Sequence, residues 1–224
     1  MPASSTIDCV VFDLGGVLVR LAGTWERACE VVGLPVRGES ATPAAREARH
    51  PLVVAHEEGR IDHRTFLEGV VASVGHVYTV DEVDAIHRAW VLDPYPGVEA
   101  LLHELAGAGV ATGVLSNTND VHWREQFEGD RGRPPRLRAP ITHPHASHLL
   151  GVRKPSRAIY DRFAAEVGLA PARLLFFDDL EPNVEGARAS GWRAERIDPH
   201  GDTAAQIRAH LAHHGVPTRI SRPA

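Results

Sequence analysis

The chain has 224 residues, and 24 Lys and Arg against 29 Asp and Glu give a formal net charge of -5. This balance argues against a nucleic-acid-binding protein that works by bulk charge, because such proteins carry a basic excess on one face. The sequence has no apolar run near the roughly 18 residues of a membrane span and no secretory signal. Its two cysteines lack a disulfide or metal spacing. We therefore expect a cytoplasmic protein without a membrane or nucleic-acid partner.

The first predicted element is a buried strand over residues 7–13, which are apolar and β-branched and run into two glycines. Residues from about 20 to 94 follow a different pattern, with apolar side chains at helical spacing. Thr79 and Glu82 form a capping box there, which predicts the start of a helix. The helices predicted in this stretch cover residues 25–32, 43–56, 64–74 and 79–91. We interpret them as a small cap over a sheet.

After residue 94, strands and helices alternate. Strands are predicted at 110–115, 174–177 and 194–197, with 139–142 as a weaker candidate, and helices at 98–108, 156–167, 183–190 and 203–213. This alternation with short loops predicts a parallel sheet covered on both faces. The predicted fold class is therefore α/β, a Rossmann-like parallel sheet core with an inserted four-helix cap. The predicted core domain comprises residues 1–19 and 95–217, the cap 20–94, and a polar tail 218–224.

Polar residues follow the predicted strands at the points where each strand ends. Asp13 ends the first strand, Ser116 follows the second, and Asp178 and Asp179 follow the strand at 174–177. Lys154, the single lysine of the chain, precedes a helix just before that strand. Binding sites in open parallel sheets form at the carboxyl ends of strands, so we expect these side chains to meet. His143 and His145, by contrast, are interpreted as part of a solvated loop, because a metal pair would need a third ligand.

The expected cluster has the composition of a phosphoryl-transfer site. Carboxylates a few ångströms apart cannot all stay ionised without a counter-charge, and a hard divalent cation such as Mg²⁺ supplies one. The Ser116 hydroxyl, the backbone N–H groups after it and the Lys154 ammonium add an anion site. Each strand-end residue alone is more often a turn or helix-cap residue than a catalytic one; only the set in this order indicates catalysis.

Four segments of the sequence resemble the four motifs of the haloacid dehalogenase-like hydrolases. They are FDLGGVL at 12–18, LSNT at 115–118, RKP at 153–155, and FDD at 177–179 with Asn183 and Ala187. Their order and spacing match over about residues 7 to 213. The helical insert resembles that superfamily's C1 cap subclass. Segments 115–119, 153–160 and 176–187, with HEEGRI at 56–61, look most like its bacterial α-D-glucose-1-phosphate phosphatase branch.

The resemblance implies a role for each matching residue. Asp13 would be the nucleophile that forms an aspartyl-phosphate, with Lys154 and Ser116 as the other catalytic residues. The oxygen ligands of Mg²⁺ would come from Asp13, Asp178, Asp179 and the backbone carbonyl of Gly15. The groups that hold the phosphoryl oxygens would be Ser116, Lys154 and the backbone N–H of Asn117. Asn183 would contact these residues without binding the metal or the phosphoryl group itself.

One position departs from the family pattern. Most phosphatases of this superfamily carry a second Asp two residues after the nucleophile, which protonates the leaving alkoxide, and here that position is Gly15. The substrate could have an acidic leaving group such as an anomeric hydroxyl, or the protein could be a poor phosphatase. Alternatively the cap could supply the acid, with His56, Glu57 and Glu58 as candidates. We place His56 and Glu57 among the substrate-binding residues.

Three functions are therefore carried forward. The leading one is a Mg²⁺-dependent phosphatase acting on a small phosphorylated metabolite, such as a sugar 1-phosphate. A 2-haloacid dehalogenase is the first alternative, since halide departure needs no acid, although the Asp178–Asp179 pair favours a metal site. The second alternative is a non-catalytic phosphate-binding or regulatory module. For the oligomeric state we expect a monomer or a weak dimer.

Overall fold

The computed structural model describes residues 6–218, so the predicted tail at 218–224 lies almost wholly outside the described residues. Its strands are β1 (Cys9–Phe12), β2 (Val19–Leu21), β3 (Val91–Pro94), β4 (Ala111–Ser116), β5 (His143–Ala146), β6 (Leu174–Asp178) and β7 (Arg193–Arg196). Its helices are α1 (Trp25–Val31), α2 (Pro43–Glu57), α3 (His63–Ser73), α4 (Val80–Arg88), α5 (Val98–Gly107), α6 (Asp120–Phe127), α7 (Ser147–Leu150), α8 (Arg157–Val167), α9 (Glu181–Ala189) and α10 (Thr203–His213). None of the helices within residues 6–218 has the length and apolar character that crossing a membrane requires.

The main sheet is parallel, in the order β5-β4-β1-β6-β7. The central strand, β1, has no polar face, because both faces of the sheet are covered by helices. Along β1, Val10 and Phe12 pack into the core with α5 and α10, while Cys9 and Val11 pack into the core with α8 and α9. The α/β fold class predicted from alternating strands and helices is confirmed.

Four helices lie between β2 and β3 and share a hydrophobic cluster of their own, which includes Trp25, Phe66 and Ile86. Each begins at a side chain that accepts a hydrogen bond from a backbone N–H three residues later, which satisfies one of the free donors of the first turn. These N-cap residues are Thr24, Thr42, Asp62 and Thr79. The capping box of Thr79 and Glu82 forms as predicted. The domain boundaries at residues 20 and 94 stay a prediction.

Several elements differ from the predictions. The helix expected over 79–91 ends at Arg88, and Val91 begins β3, which pairs with β2 in a separate antiparallel sheet. The strand predicted at 139–142 is placed a few residues too early in the sequence. It is His143–Ala146 that forms the edge strand β5 beside β4, so the interpretation of His143 and His145 as a solvated loop is also wrong. His145 packs on Phe163 and contacts Glu166 at 2.8 Å instead.

Candidate active site

The carboxyl ends of β1, β4 and β6 bring the predicted side chains together. Asp13 directly follows β1, Ser116 is the last residue of β4, and Asp178 is the last residue of β6. Because β1 lies between β4 and β6 in a parallel sheet, these three ends are adjacent. All three side chains are buried. The expectation that the strand ends converge is thus met by their geometry.

Lys154 lies between two of these carboxylates. Its Nζ is 3.0 Å from Oδ1 of Asp13 and 2.6 Å from Oδ2 of Asp178, and the residue is only 2% exposed. Burial alone would lower the pKa of the Lys154 ammonium, but the charges of Asp13 and Asp178 outweigh it and hold that pKa above its ordinary value. The ammonium therefore stays charged and compensates part of the negative charge buried with it.

Asn117 fixes the backbone that carries this lysine. Its Oδ1 accepts a hydrogen bond from the backbone N–H of Lys154 at 2.8 Å, and its Nδ2 donates to the backbone carbonyl of Lys154 at 3.0 Å. From the sequence, Asn117 is expected to bind phosphoryl oxygens through its backbone N–H only. A two-bond clamp between segments 37 residues apart has no local sequence signal, which is why it was missed.

Three carboxylates converge at this edge of the sheet. One oxygen from each of Asp13, Asp178 and Asp179 lies within 4.8 Å of the others. Burial, followed by the charge of Asp13 and then of Asp178, raises the pKa of Asp179 to about 7. Burial is also the main reason that the pKa of Asp13 is raised. One ammonium does not balance this cluster, so the donor set fits a hard divalent cation that prefers carboxylate oxygens.

Two neighbouring groups hold the cluster in place. Asn183 donates from Nδ2 to both oxygens of Asp178, at 3.0 and 3.1 Å, and the backbone N–H of Leu180 donates to Oδ1 at 2.9 Å. On the other side, Gly16 has a left-handed backbone with φ of +75°. A Cβ there would lie 2.6 Å from the carboxyl carbon of Asp179, so only glycine allows this approach.

A cavity of about 640 Å³ extends from these strand ends to the helices α1 to α4. His56 and Glu57, in the last turn of α2, line it, whereas Glu58 pairs with Arg60 at 2.8 Å and does not. Glu57 is close enough to Asp13 for their charges to interact; burial, chiefly, raises its pKa. Arg153 lies 2.6 Å from Glu57, a contact that the sequence did not indicate.

The position of Glu57 is tied to the sheet. Ser147, at the start of α7, donates its hydroxyl to the backbone carbonyl of Glu57 at 2.5 Å and to that of Thr118 at 3.1 Å. Gly59 lies against the same segment, where a Cβ would approach the carbonyl of His148 to 2.7 Å. The end of α2 is therefore fixed relative to the strand ends that carry Ser116.

A family model and a named relative match this sequence. A family model described as haloacid dehalogenase-like hydrolase matches residues 7–191. The chain is 26% identical to "Phosphatase MT3486" of Mycobacterium tuberculosis (strain CDC 1551 / Oshkosh). The aligned region covers 88% of this chain and 90% of that protein.

Two solved structures share the fold. The haloacid dehalogenase family enzyme bt-2542 of Bacteroides thetaiotaomicron, in complex with magnesium and inorganic phosphate, has a TM-score of 0.73 at 22% identity, covering 90% of this chain and 100% of that one. The L-2-haloacid dehalogenase PA0810 has a TM-score of 0.65 at 19% identity, covering 88% of this chain and 87% of that one. Similarity at this level extends to the fold alone.

The ion pairs of Lys154 predict a large effect on stability. Lys154→Met leaves Asp13 and Asp178 buried without their cation, and breaking a buried pair in this way costs about 3–5 kcal/mol. We expect urea unfolding in the presence of EDTA to show a loss of that size. Lys154→Met combined with Asp178→Asn removes one of the opposing charges and should recover part of the loss. A Lys154→Met protein as stable as the wild type would contradict the arrangement.

Proposed function

Because this chain belongs to the haloacid dehalogenase-like hydrolase family, we propose that it is a Mg²⁺-dependent phosphatase that acts on a small phosphorylated metabolite through an aspartyl-phosphate. The observation that carries the proposal is the buried ammonium of Lys154 in contact with both Asp13 and Asp178. This contact places a nucleophile, Asp13, a cation, Lys154, and a second carboxylate, Asp178, side by side at the carboxyl ends of the strands. The relative from M. tuberculosis, which bears the name phosphatase, supports the same reading.

The oxygen donors around Asp13 fit Mg²⁺. The set consists of Asp13, Asp178, Asp179 and the backbone carbonyl of Gly15, which lines the same cavity. When bound, Mg²⁺ neutralises charge on the phosphoryl group and on the carboxylates that face it. The related enzyme bt-2542 has been solved with magnesium and with inorganic phosphate, which supports this choice of ion.

The chain's own residues divide the reaction between them. An oxygen of Asp13 attacks phosphorus while the bond to the leaving oxygen breaks, giving an acyl phosphate and an alkoxide. The Lys154 ammonium, the Ser116 hydroxyl and the backbone N–H of Asn117 bind the phosphoryl oxygens as the charge redistributes. Water then cleaves the acyl phosphate, which releases inorganic phosphate and restores Asp13. Asn117 also keeps Lys154 in place through its side chain.

The leaving alkoxide needs a proton that Gly15 cannot provide. We assign this proton to Glu57, because it is the cap carboxyl that lies both in the cavity and within reach of the charge of Asp13. Arg153 holds the Glu57 carboxyl in one place. His56 is buried in the same cavity, but its Nε2 lies 3.4 Å from the carboxylate of Asp120. Glu58 lies outside the cavity.

The substrate class is inferred from the leaving group. A leaving oxygen that carries negative charge easily, such as the anomeric oxygen of a sugar 1-phosphate, depends less on the proton that Glu57 has to supply in place of an Asp at position 15. The cavity continues past the strand ends to Trp25, Arg49 and Trp90, where the Arg49 guanidinium lies 4.3 Å from the centre of the Trp25 ring. We therefore infer that sugar 1-phosphates are the preferred substrates.

The activity is tested by product analysis on a panel of substrates. In the presence of Mg²⁺ we expect phosphate release, faster from sugar 1-phosphates than from sugar 6-phosphates, and no halide from 2-haloacids. Asp13→Asn should abolish release while leaving the circular dichroism spectrum unchanged, because the amide keeps the shape of the carboxylate and is no nucleophile. Halide as the sole product would show a dehalogenase. Thermal protection by beryllofluoride without any turnover would show a binding module.

Glu57 is tested through the leaving group. In Glu57→Gln, kcat should fall by roughly 100-fold on an alkyl phosphate, because its alkoxide needs protonation. On p-nitrophenyl phosphate, whose phenolate leaves unaided, kcat should change little.

The matched control is the neighbouring variant Glu58→Gln, which should behave as wild type on both substrates. Equal losses on both substrates in Glu57→Gln would show that Glu57 orders the site and does not donate the proton.

A further inference from the structure

Three histidines from three different helices converge in the cap. His56 lies in the last turn of α2, His63 is the first residue of α3, and His87 lies in the last turn of α4. Their ring centroids are 5.4 Å apart for His56 and His63, 5.6 Å for His56 and His87, and 5.4 Å for His63 and His87. One ring nitrogen from each lies within 4.8 Å of the other two. The rings form a nearly equilateral triangle.

A buried nitrogen of each ring has no hydrogen-bond partner. These atoms are Nε2 of His56, Nδ1 of His63 and Nε2 of His87. Buried polar atoms are nearly always hydrogen-bonded, since leaving one unpaired costs about 1–3 kcal/mol. Three rings that converge within 4.8 Å and each carry an unpaired buried nitrogen indicate a shared ligand that accepts nitrogen lone pairs. The His56 side chain among them is only 3% exposed.

The surroundings of the rings resemble the outer shell of a metal site. Nε2 of His63 lies 2.7 Å from Oδ1 of Asp84, and a carboxylate in that position takes the N–H of one ring nitrogen and leaves the lone pair on the other. Asp84 is itself held by Arg88, at 3.0 and 3.1 Å, and by Arg131, at 2.7 Å.

The donor atoms that lie within 4.8 Å of one another are those of His56, His63 and His87. Oδ1 of Asp120, the first residue of α6, lies 3.4 Å from Nε2 of His56 but is outside that group. Three imidazoles with an open fourth position suit a borderline transition-metal ion, whereas Mg²⁺ prefers oxygen donors throughout.

We propose that His56, His63 and His87 form a second metal site, which binds a divalent transition-metal ion of the Zn²⁺ type. It is distinct from the carboxylate cluster around Asp13 in donor chemistry. Because α2, α3 and α4 each supply one imidazole, a bound ion would connect three helices of the cap. His56 and His87 also line the substrate cavity, so the ion would lie at its wall.

The site is tested by metal binding, independently of any phosphatase activity. The full-length, tag-free protein is stripped with EDTA and then kept in excess Mg²⁺, which occupies the carboxylate cluster. We expect calorimetric titration with Zn²⁺ to give one equivalent. Titration with Co²⁺ should give the strong visible absorption of a four- or five-coordinate ion with nitrogen ligands, which a carboxylate-only site does not produce.

Variants then locate the ion. His63→Gln and His87→Gln should each weaken Zn²⁺ binding at least tenfold, and Asp84→Asn by about 10–100-fold, as losses of outer-shell partners usually do. His103→Gln, an exposed residue of α5, is the matched histidine control and should bind as wild type does. Asp13→Asn should also retain Zn²⁺ binding, which separates the two sites. Circular dichroism checks that each variant is folded.

Two outcomes would overturn the proposal. Wild-type protein that shows neither one equivalent of Zn²⁺ nor the Co²⁺ absorption would mean that the rings only pack against each other and against Phe66, which stacks on His56 at 4.5 Å. Binding that Asp13→Asn removes and His63→Gln retains would place the ion in the carboxylate cluster. The wild-type spectrum alone decides the first outcome, whether or not a variant folds.

Discussion

The whole site depends on one buried ammonium. Three carboxylates at the ends of adjacent strands would repel one another in a medium that water does not screen, and Lys154 is the cation of the chain that lies among them. The fold serves this contact in two ways. The order of the sheet sets β1 beside β6, which brings Asp13 next to Asp178, and Asn117 fixes the loop from which Lys154 extends.

The sequence was informative where structure is local. Apolar runs that end in Asp or Ser predicted β1, β4 and β6 and the convergence of their polar ends, because parallel strands leave their carboxyl ends at one edge. The pattern failed at β5, where a strand containing His and Pro lies at the sheet edge and has little apolar signal. It also missed β2 and β3, which are too short to show a period and form a separate two-stranded sheet.

The sequence also did not predict contacts between segments that are distant along the chain. The clamp of Asn117 on Lys154, the pairing of Arg153 with Glu57 and the convergence of three histidines each join residues far apart in the chain. Nothing in a periodicity or a spacing reports such contacts, and a chain rich in arginine and histidine offers many candidates for each. Helices α2 and α4 thus contribute a carboxyl and imidazoles to the cavity, and the sequence could place these groups only on helices.

Replacing the compact ammonium of Lys154 with a guanidinium is the most direct test of its role in the site. Arg keeps the charge, but its planar guanidinium is larger and delocalised, and it cannot occupy the space of a compact ammonium between two buried carboxylates. The measurement is kcat for phosphate release by Lys154→Arg with Mg²⁺ present, on the best substrate of the panel. A fall to a few per cent of wild type or below, in a folded protein, is the predicted result. Full activity would contradict the claim that this ammonium organises the site.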